Sequence, residues 1–252
     1  MTIRHVTVGE ACGSDKGFNN WASRNVHPHR APGYAAVTLS LKPNAVAPGD
    51  ISAEQLEAAA DLAEQYSLGE IRSTHYQNLV LPYVRQKDLY ELWHKAREAG
   101  FATPNIGLLS DMICCPGGDF CSLANARSIP IAQELTRKFA APERQKQIGD
   151  LKIKISGCIN ACGHHHAGHI GILGVEKKGT ELYQISVGGD GTEHAAIGDI
   201  LGHGFVAEDV PDAIERLVET YISRRESANE PFIAAYRRLG EAPFKEALYG
   251  AQ

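Results

Sequence analysis

Apolar residues in the first part of the chain recur with the periods of strands and helices. Alternating, β-favouring segments predict strands at 33–42, 70–74 and 79–84. Ser52 followed three residues later by Gln55 is the pattern of a capping box and predicts a helix start. Apolar residues then recur at helical spacing, and a second amphipathic helix ends near Gly100. The order strand, helix, strand, strand, helix predicts a compact α+β unit of about 70 residues.

The pattern changes near Ile106, where a second region begins. A loop rich in Gly and Pro precedes residues 122–139, which lack a strong breaker other than Pro130 and predict helix. Strands are predicted at 151–156, 170–175 and 182–187, the last two joined by a turn at 177–179. Apolar residues at helical spacing predict further helices after Pro211 and at 232–239. This region therefore combines a sheet with helices.

These patterns predict three parts. Residues 1–30 form an N-terminal extension, 31–105 the first unit and 106–252 the second. Residues 1–32 are polar and broken by Gly and Pro, so we expect them to form an extended lead-in segment.

Composition narrows the function classes. The 252 residues are 43% hydrophobic and 22% charged, as in an ordinary globular protein, and the formal net charge is −5. Such a charge disfavours general binding to nucleic acid or to membrane surfaces. No apolar run is long enough to span a membrane and the N-terminus lacks a secretory h-region, so the expected compartment is the cytoplasm. Thiols stay reduced there.

Cysteine spacing carries the chemical signal. Five of the six cysteines fall within residues 114–162, as Cys114, Cys115, Cys121, Cys158 and Cys162, while Cys12 is isolated and predicted to be a plain thiol. The pairs Cys115-x5-Cys121 and Cys158-x3-Cys162 lie on Gly-containing loops, and four thiolates can hold a [4Fe–4S] cluster. Structural zinc usually takes shorter spacing, but spacing alone leaves zinc and unligated thiols open. It also leaves open whether Cys114 replaces Cys115.

Two weaker signals accompany the cysteines. His164, His165, His166 and His169 follow the second pair, and a mixed Cys/His site is the alternative to a structural turn, which we favour. Residues 188–191 are glycine-rich, but neither a phosphate-loop motif nor a dinucleotide-binding motif is present.

CCPGGDFCSLANA at 114–126, with ISGCINACGHH at 155–165, resembles the signature of the sulfite and nitrite reductase haemoproteins. That signature is C-x5-C followed by C-x3-C, with an Asn inside the second pair and a Gly after it; here these are Asn160 and Gly163. Residues 49–81 are similar to the ferredoxin-like half-domain of the same family, including its Gln-Asn pair, here Gln77 and Asn78. The resemblance covers roughly residues 20–249.

The resemblance implies a fold, cofactors and site residues. The fold would be α+β: a ferredoxin-like half-domain followed by a mixed-sheet-and-helix domain that binds a [4Fe–4S] cluster and sirohaem. Cys115, Cys121 and Cys158 would be cluster ligands, and Cys162 would bind the cluster and bridge to the sirohaem iron as the catalytic thiolate. Asn160, Gln77 and Asn78 would be candidate sirohaem contacts. The implied reaction is the six-electron reduction of sulfite to sulfide, with nitrite to ammonia as the alternative.

The resemblance also implies partners. Family members are about twice this length, and their first half supplies most of the Arg and Lys residues that bind sirohaem and the small anion. We therefore expect the chain to be a fragment, or a first-half chain or second copy to complete it, together with a ferredoxin or flavoprotein electron donor. The net charge of −5 fits this view, because the pocket must bind a polyanion. Competing hypotheses are a non-catalytic [4Fe–4S] electron-transfer module and a zinc-stabilised interaction domain.

Overall fold

The computed structural model describes residues 14–250, so Cys12 and the start of the predicted extension lie outside it. Internal contacts divide the chain into two compact units, with the boundary between Ile106 and Gly107. Each unit has its own sheet and its own apolar core. The predicted α+β class is confirmed. Within 14–250, no helix combines the length and apolar character needed to cross a membrane.

From residue 14 onwards, the first unit contains one antiparallel sheet and three α-helices. Its elements are α1 (Lys16–Asn25), β1 (Val26–Pro28), β2 (Tyr34–Leu39), α2 (Ala53–Tyr66), β3 (Arg72–Ser73), β4 (Leu79–Arg85) and α3 (Leu89–Glu98). The strand order is β1-β2-β4-β3, with every neighbour antiparallel. The predicted capping box is confirmed, because the Ser52 hydroxyl accepts from the Gln55 N–H while the Gln55 side chain accepts from the Ser52 N–H. Apolar faces of the helices pack on the sheet.

The prediction of an extended lead-in is wrong for residues 16–25, which form helix α1. The Asp15 carboxylate caps this helix by accepting from the N–H groups of Gly17 and Phe18. Phe18 and Trp21 are fully buried in the core of the first unit. These two aromatics lie one helical turn apart. Burying them stabilises the helix by more than the Gly and Pro residues nearby destabilise it.

The second unit contains a mixed five-stranded sheet and five helices in the described residues. Its elements are β5 (Ile113–Cys114), α4 (Ile129–Lys138), α5 (Pro142–Ile148), β6 (Ile153–Ser156), β7 (Ile170–Lys177), β8 (Thr180–Val187), β9 (Asp199–Ile200), α6 (Val210–Arg224), α7 (Phe232–Leu239) and α8 (Ala242–Tyr249). The strand order is β5-β6-β7-β8-β9. Strands β5, β6 and β7 are parallel, whereas β7–β8 and β8–β9 are antiparallel.

The core of the second unit lies on one face of this sheet. Ile153 and Ile155 of β6 and Ile170 and Ile172 of β7 are buried there. Helices α4 and α6 cover this face with their own apolar residues, among them Leu135. Because alternate residues of a strand point to opposite faces, Lys154 and Ser156 of β6 belong to the other face, and both are buried.

Candidate metal centre

The loops that carry Cys115 to Cys121 and Cys158 to Cys162, the two cysteine loops, leave the sheet at the same end. Strands β5 and β6 are parallel with Cys114 opposite Ile155, so their carboxyl ends coincide. Cys115 follows β5 directly, and Cys158 comes two residues after the end of β6. The Cys115 N–H extends the ladder by donating to the Ile155 carbonyl at 3.1 Å. Parallel pairing therefore brings one cysteine of each pair to one end of the sheet.

Backbone hydrogen bonds hold the two loops together. The Gly157 carbonyl accepts the N–H groups of Asn125 and Ala126 at 2.8 and 3.0 Å. Gly157 has no space for a side chain: a Cβ there would lie 2.6 Å from the Ala126 oxygen and 2.8 Å from the Gly117 Cα. Glycine at position 157 is therefore needed for the close approach of the loops.

The turn between Cys158 and Cys162 is equally constrained. Its Ala161 N–H donates to the Cys158 carbonyl at 3.2 Å, and Ala161 has a left-handed φ of 56°. Gly163 then passes so close to β6 that a Cβ would lie 1.9 Å from the Ile155 oxygen. The Gly163 N–H donates to the Ser156 hydroxyl at 3.1 Å. These contacts fix where the chain places Cys162.

The four cysteines differ in exposure. Cys115 and Cys158 are buried, Cys121 is half-buried and Cys162 is exposed, and all four are free thiols. Within 14–250, no three His, Cys, Asp or Glu side chains converge closely enough to hold a single metal ion. A zinc site therefore has no preformed ligand set in this part of the chain. A cubane cluster binds each thiolate through a different iron atom, so its ligands stand farther apart than those of one ion.

Geometry separates Cys114 from Cys115. Cys114 lies in the apolar core of the second unit, and its Sγ faces the Cys115 carbonyl at 3.2 Å. The Cys115 Sγ instead accepts the N–H of Gly157 at 3.1 Å, in the loop that carries Cys158. Strand alternation turns the two neighbours to opposite sides. The side chain directed at the other cysteine loop is that of Cys115.

The histidines after Cys162 do not form one site. The Nδ1 atom of His169 accepts the Lys152 N–H at 3.3 Å, and its ring stacks on Phe232. Burial lowers the pKa of His169 to about 4, so the ring is neutral near pH 7. His165 is half-buried, its Nδ1 is buried with no hydrogen-bond partner, and burial lowers its pKa.

The predicted sirohaem contacts differ in their surroundings. The Asn78 side chain is buried in the first unit, where its Oδ1 accepts the Leu41 N–H at 3.0 Å. Gln77 precedes it in a turn with a left-handed φ of 54°. In the second unit, Asn160 is exposed on the loop between Cys158 and Cys162. Cofactor contact by these three residues stays a prediction.

Large apolar side chains are exposed on both cysteine loops. Phe120 and Leu123 flank Cys121 and are 81% and 71% exposed, and Ile159 beside Cys158 is 79% exposed. Exposed apolar groups gathered on neighbouring loops are typical of surfaces that bind a ligand or a partner.

Comparison with known proteins assigns this architecture. The family model described as "Nitrite and sulphite reductase 4Fe-4S domain" matches residues 108–251, and "Nitrite/Sulfite reductase ferredoxin-like half domain" matches 27–99. The chain belongs to the nitrite and sulfite reductase family. The ferredoxin-like half-domain and the mixed-sheet 4Fe–4S domain predicted from the sequence are thereby confirmed.

Curated relatives in this family include enzymes for both substrates. A "Ferredoxin--nitrite reductase" of Synechococcus elongatus is 30% identical over 210 residues, covering 79% of this chain and 39% of the relative. A "Sulfite reductase [ferredoxin] 2" of Mycolicibacterium paratuberculosis is 29% identical over 211 residues, covering 79% of this chain and 38% of the relative. The chain thus spans about two fifths of the length of the curated relatives it matches.

Solved structures of the family share the fold. The NirA protein of Mycobacterium tuberculosis matches with a TM-score of 0.71 and 26% identity, over 88% of this chain and 41% of that one. A dissimilatory sulfite reductase I (DsrI) chain matches with the same TM-score of 0.71 at 15% identity, over 87% of this chain and 70% of that one. At 15% identity the second match supports the fold alone.

Two features of the candidate site could not be predicted from the sequence. The first is the short strand β5, which aligns the loops although only Ile113 and Cys114 form it. The second is Ser128, whose hydroxyl lies 3.6 Å from the Cys115 Sγ. Its position just before helix α4 indicates a helix cap, and the chain gives no other signal for it.

Proposed function

We propose that Cys115, Cys121, Cys158 and Cys162 hold a [4Fe–4S] cluster, and that Cys162 also binds the iron of a sirohaem. The observation that carries this proposal is the joining of two cysteine loops of the family pattern at the carboxyl ends of β5 and β6. Their backbones are already bonded to each other, and all four thiols are free. Four thiolates carried by two joined, glycine-containing loops suit an iron–sulfur cluster.

Exposure supports the division of roles among the cysteines. The buried Cys115 and Cys158 suit ligands reached only by the cluster, whereas the exposed Cys162 is accessible to a second group. The apolar side chains of Phe120, Leu123 and Ile159 offer a surface for the flat macrocycle of a tetrapyrrole.

The bound cofactors would supply single electrons and a metal centre for six-electron reduction of sulfite or nitrite. This chain's residues would do the positioning. The turn around Ala161 and the close packing of Gly163 on β6 hold Cys162 in place. The backbone hydrogen bonds from Asn125 and Ala126 to the Gly157 carbonyl, here called the clamp at Gly157, set the separation of the two loops. Asn160, Gln77 and Asn78 are proposed to contact sirohaem.

The complete reaction needs groups beyond these residues. We propose a ferredoxin or flavoprotein electron donor, and a first-half chain or a second copy that supplies cationic residues for the anion. The net charge of −5 supports a separate source of those cations. The free thiols suit a reducing compartment such as the cytoplasm.

Cofactor content tests the proposal. The chain is produced with sirohaem synthesis active in the host, and iron, acid-labile sulfide and the visible spectrum are measured on the purified protein. We expect four irons from the cluster and one from sirohaem, four sulfides, and a Soret band with a band near the red end. Protein carrying zinc without iron or sulfide would contradict the proposal. A cluster without a haem band would support the electron-transfer module instead.

Activity assays then address the substrate. Sulfite and nitrite are supplied in parallel, with a chemical reductant as donor and with a first-half chain added to the loaded protein. We propose sulfite as the substrate; nitrite is the second candidate, favoured by the 30% identity to a nitrite reductase. The ratio of the two kcat/KM values identifies the substrate, and no reduction of either anion by the completed protein would contradict catalysis.

A further inference from the structure

Ser128 occupies the position that caps helix α4 but does not cap it. A Ser at this position normally accepts a backbone N–H from the second or third residue of the helix. Here the second residue is Pro130, which has no N–H, and the Ser128 side chain makes no capping hydrogen bond. Ser128 is nevertheless fully buried. Its hydroxyl is therefore available for a different contact.

That contact is the sulfur of Cys115. The Ser128 Oγ lies 3.6 Å from the Cys115 Sγ, and sulfur is large enough for this to be a hydrogen bond. In a cluster the cysteine is a thiolate without a proton, so the hydroxyl must donate. The Gly157 N–H donates to the same sulfur at 3.1 Å. Cys115 would thus accept one hydrogen bond from the segment after Cys121, through Ser128, and one from the loop that carries Cys158, through Gly157.

The other three cysteines lack such contacts. Within residues 14–250, Cys115 alone among the four has an Sγ that takes part in hydrogen bonds. Hydrogen bonds to cluster sulfurs set the reduction potential, because they stabilise the more negative, reduced state. Burial of both Ser128 and Cys115 strengthens this effect by excluding water.

We propose that Ser128 is a positioning residue that raises the reduction potential of the cluster by donating a hydrogen bond to the Cys115 thiolate. The inference rests on the proposed function, because it requires the cluster. A higher reduction potential makes it easier for the cluster to accept electrons from its donor. The electron itself comes from that donor, or from dithionite in a titration.

A redox titration of the loaded full chain tests the inference. Dithionite is added stepwise, and the paramagnetic signal of the one-electron-reduced cluster gives the midpoint potential. For Ser128→Ala we expect about a tenfold smaller equilibrium constant for reduction, which is a midpoint lower by about 59 mV for one electron. Ser128→Thr keeps the hydroxyl and is expected to restore the potential. An unchanged midpoint in Ser128→Ala at full cluster content would overturn the inference.

Two controls separate hydrogen bonding from packing. Ser186 is also buried, and its hydroxyl has no hydrogen-bond partner, so Ser186→Ala should leave the midpoint unchanged. If Ser128→Ala fails to take up the cluster, Ser128→Thr and Ser128→Val provide a pair of equal shape with and without the hydroxyl. A lower midpoint in the Val variant supports the inference, and equal midpoints overturn it. A wild-type chain without iron and sulfide would instead refute the proposed function itself.

Discussion

The two units use their buried polar groups in different ways. In the first unit, side chains bond the backbone: the Asn78 Oδ1 accepts the Leu41 N–H at 3.0 Å, and the Asn105 Nδ2 donates to the Lys42 carbonyl at 2.9 Å. The Ser40 hydroxyl donates to the Asn105 Oδ1 at 2.8 Å. Such contacts satisfy buried groups and stabilise a loop that follows β2.

In the second unit, most hydrogen bonds around the cysteines join one backbone group to another. The Gly157 carbonyl accepts two N–H groups from the opposite loop, and the Cys115 N–H is bonded to Ile155. The thiols of Cys121, Cys158 and Cys162 are left free for other ligands. Buried polar side chains thus hold the backbone after β2 in the first unit, whereas in the second unit the two cysteine loops are joined mainly through backbone hydrogen bonds.

The largest effect on cluster content is expected to distinguish the two adjacent cysteines, Cys114 and Cys115. Cys115→Ala removes a proposed ligand directed at the second loop, so we expect loss of most iron and acid-labile sulfide. Cys114→Ala removes a buried sulfur from the core and should lower the free energy of unfolding by about 1–2 kcal/mol while keeping the cluster. Metal analysis and denaturant unfolding measure both outcomes. Cluster loss in Cys114→Ala alone would reverse the assignment.

The next effect concerns the close approach at Gly163. In Gly163→Ala the added Cβ would lie 1.9 Å from the Ile155 oxygen, so the loop must move away from β6. We expect the free energy of unfolding to fall by about 2–4 kcal/mol, with weaker cluster retention. Gly191→Ala is the matched control, because its nearest neighbour would be at 3.4 Å. Equal stability of the two variants in urea would show that the turn is not constrained.

Acid should destabilise the second unit through His169. Burial lowers its folded pKa to about 4 from 6.5, so the unfolded state binds more protons between these values. The stabilisation is present above pH 6.5 and is lost as the pH falls towards 4, by about 2–3 kcal/mol. Urea unfolding at several pH values measures the slope, which His169→Gln should reduce. An unchanged slope in that variant would assign the acid sensitivity to other groups.

The smallest effect tests whether Asn78 serves the fold. Asn78→Ala leaves the buried Leu41 N–H without its acceptor, so we expect a loss of about 1–2 kcal/mol in stability. Asn78→Asp keeps an acceptor oxygen but places a carboxylate in a buried site, so it should lose at least as much stability. Cluster content should be unchanged in both variants. Sirohaem content of the same samples tests the cofactor contact predicted for Asn78.

Much of the fold could be predicted because its elements carry strong local signals. The capping box at Ser52 and the helix at Phe232–Leu239 follow from residues close together in the chain. Helix α1 was missed because its signal is two aromatics, Phe18 and Trp21, among many polar residues. Strand β5 is only two residues long, so alternation could not reveal it.

The candidate site was predictable in its residue types but not in its contacts. Spacing identified the two cysteine pairs, and the left-handed turn at Ala161 and the clamp at Gly157 appear only once the strands are paired. Spacing could not choose between Cys114 and Cys115, because the choice depends on which side of β5 each side chain lies. Ser128 was missed because its contact with Cys115 is made across the fold.

The hydrogen bonds at Gly157 have a consequence for what happens when the cofactor is lost. Asn125 and Ala126 bond to Gly157 through backbone groups alone, so this joining of the two loops requires no thiolate and no cluster ligand. Loops held by their own backbone lose little conformational entropy when they bind a cluster. We therefore expect the protein to stay folded after oxidative destruction of its cluster, unlike small metal domains that unfold when their ion is removed.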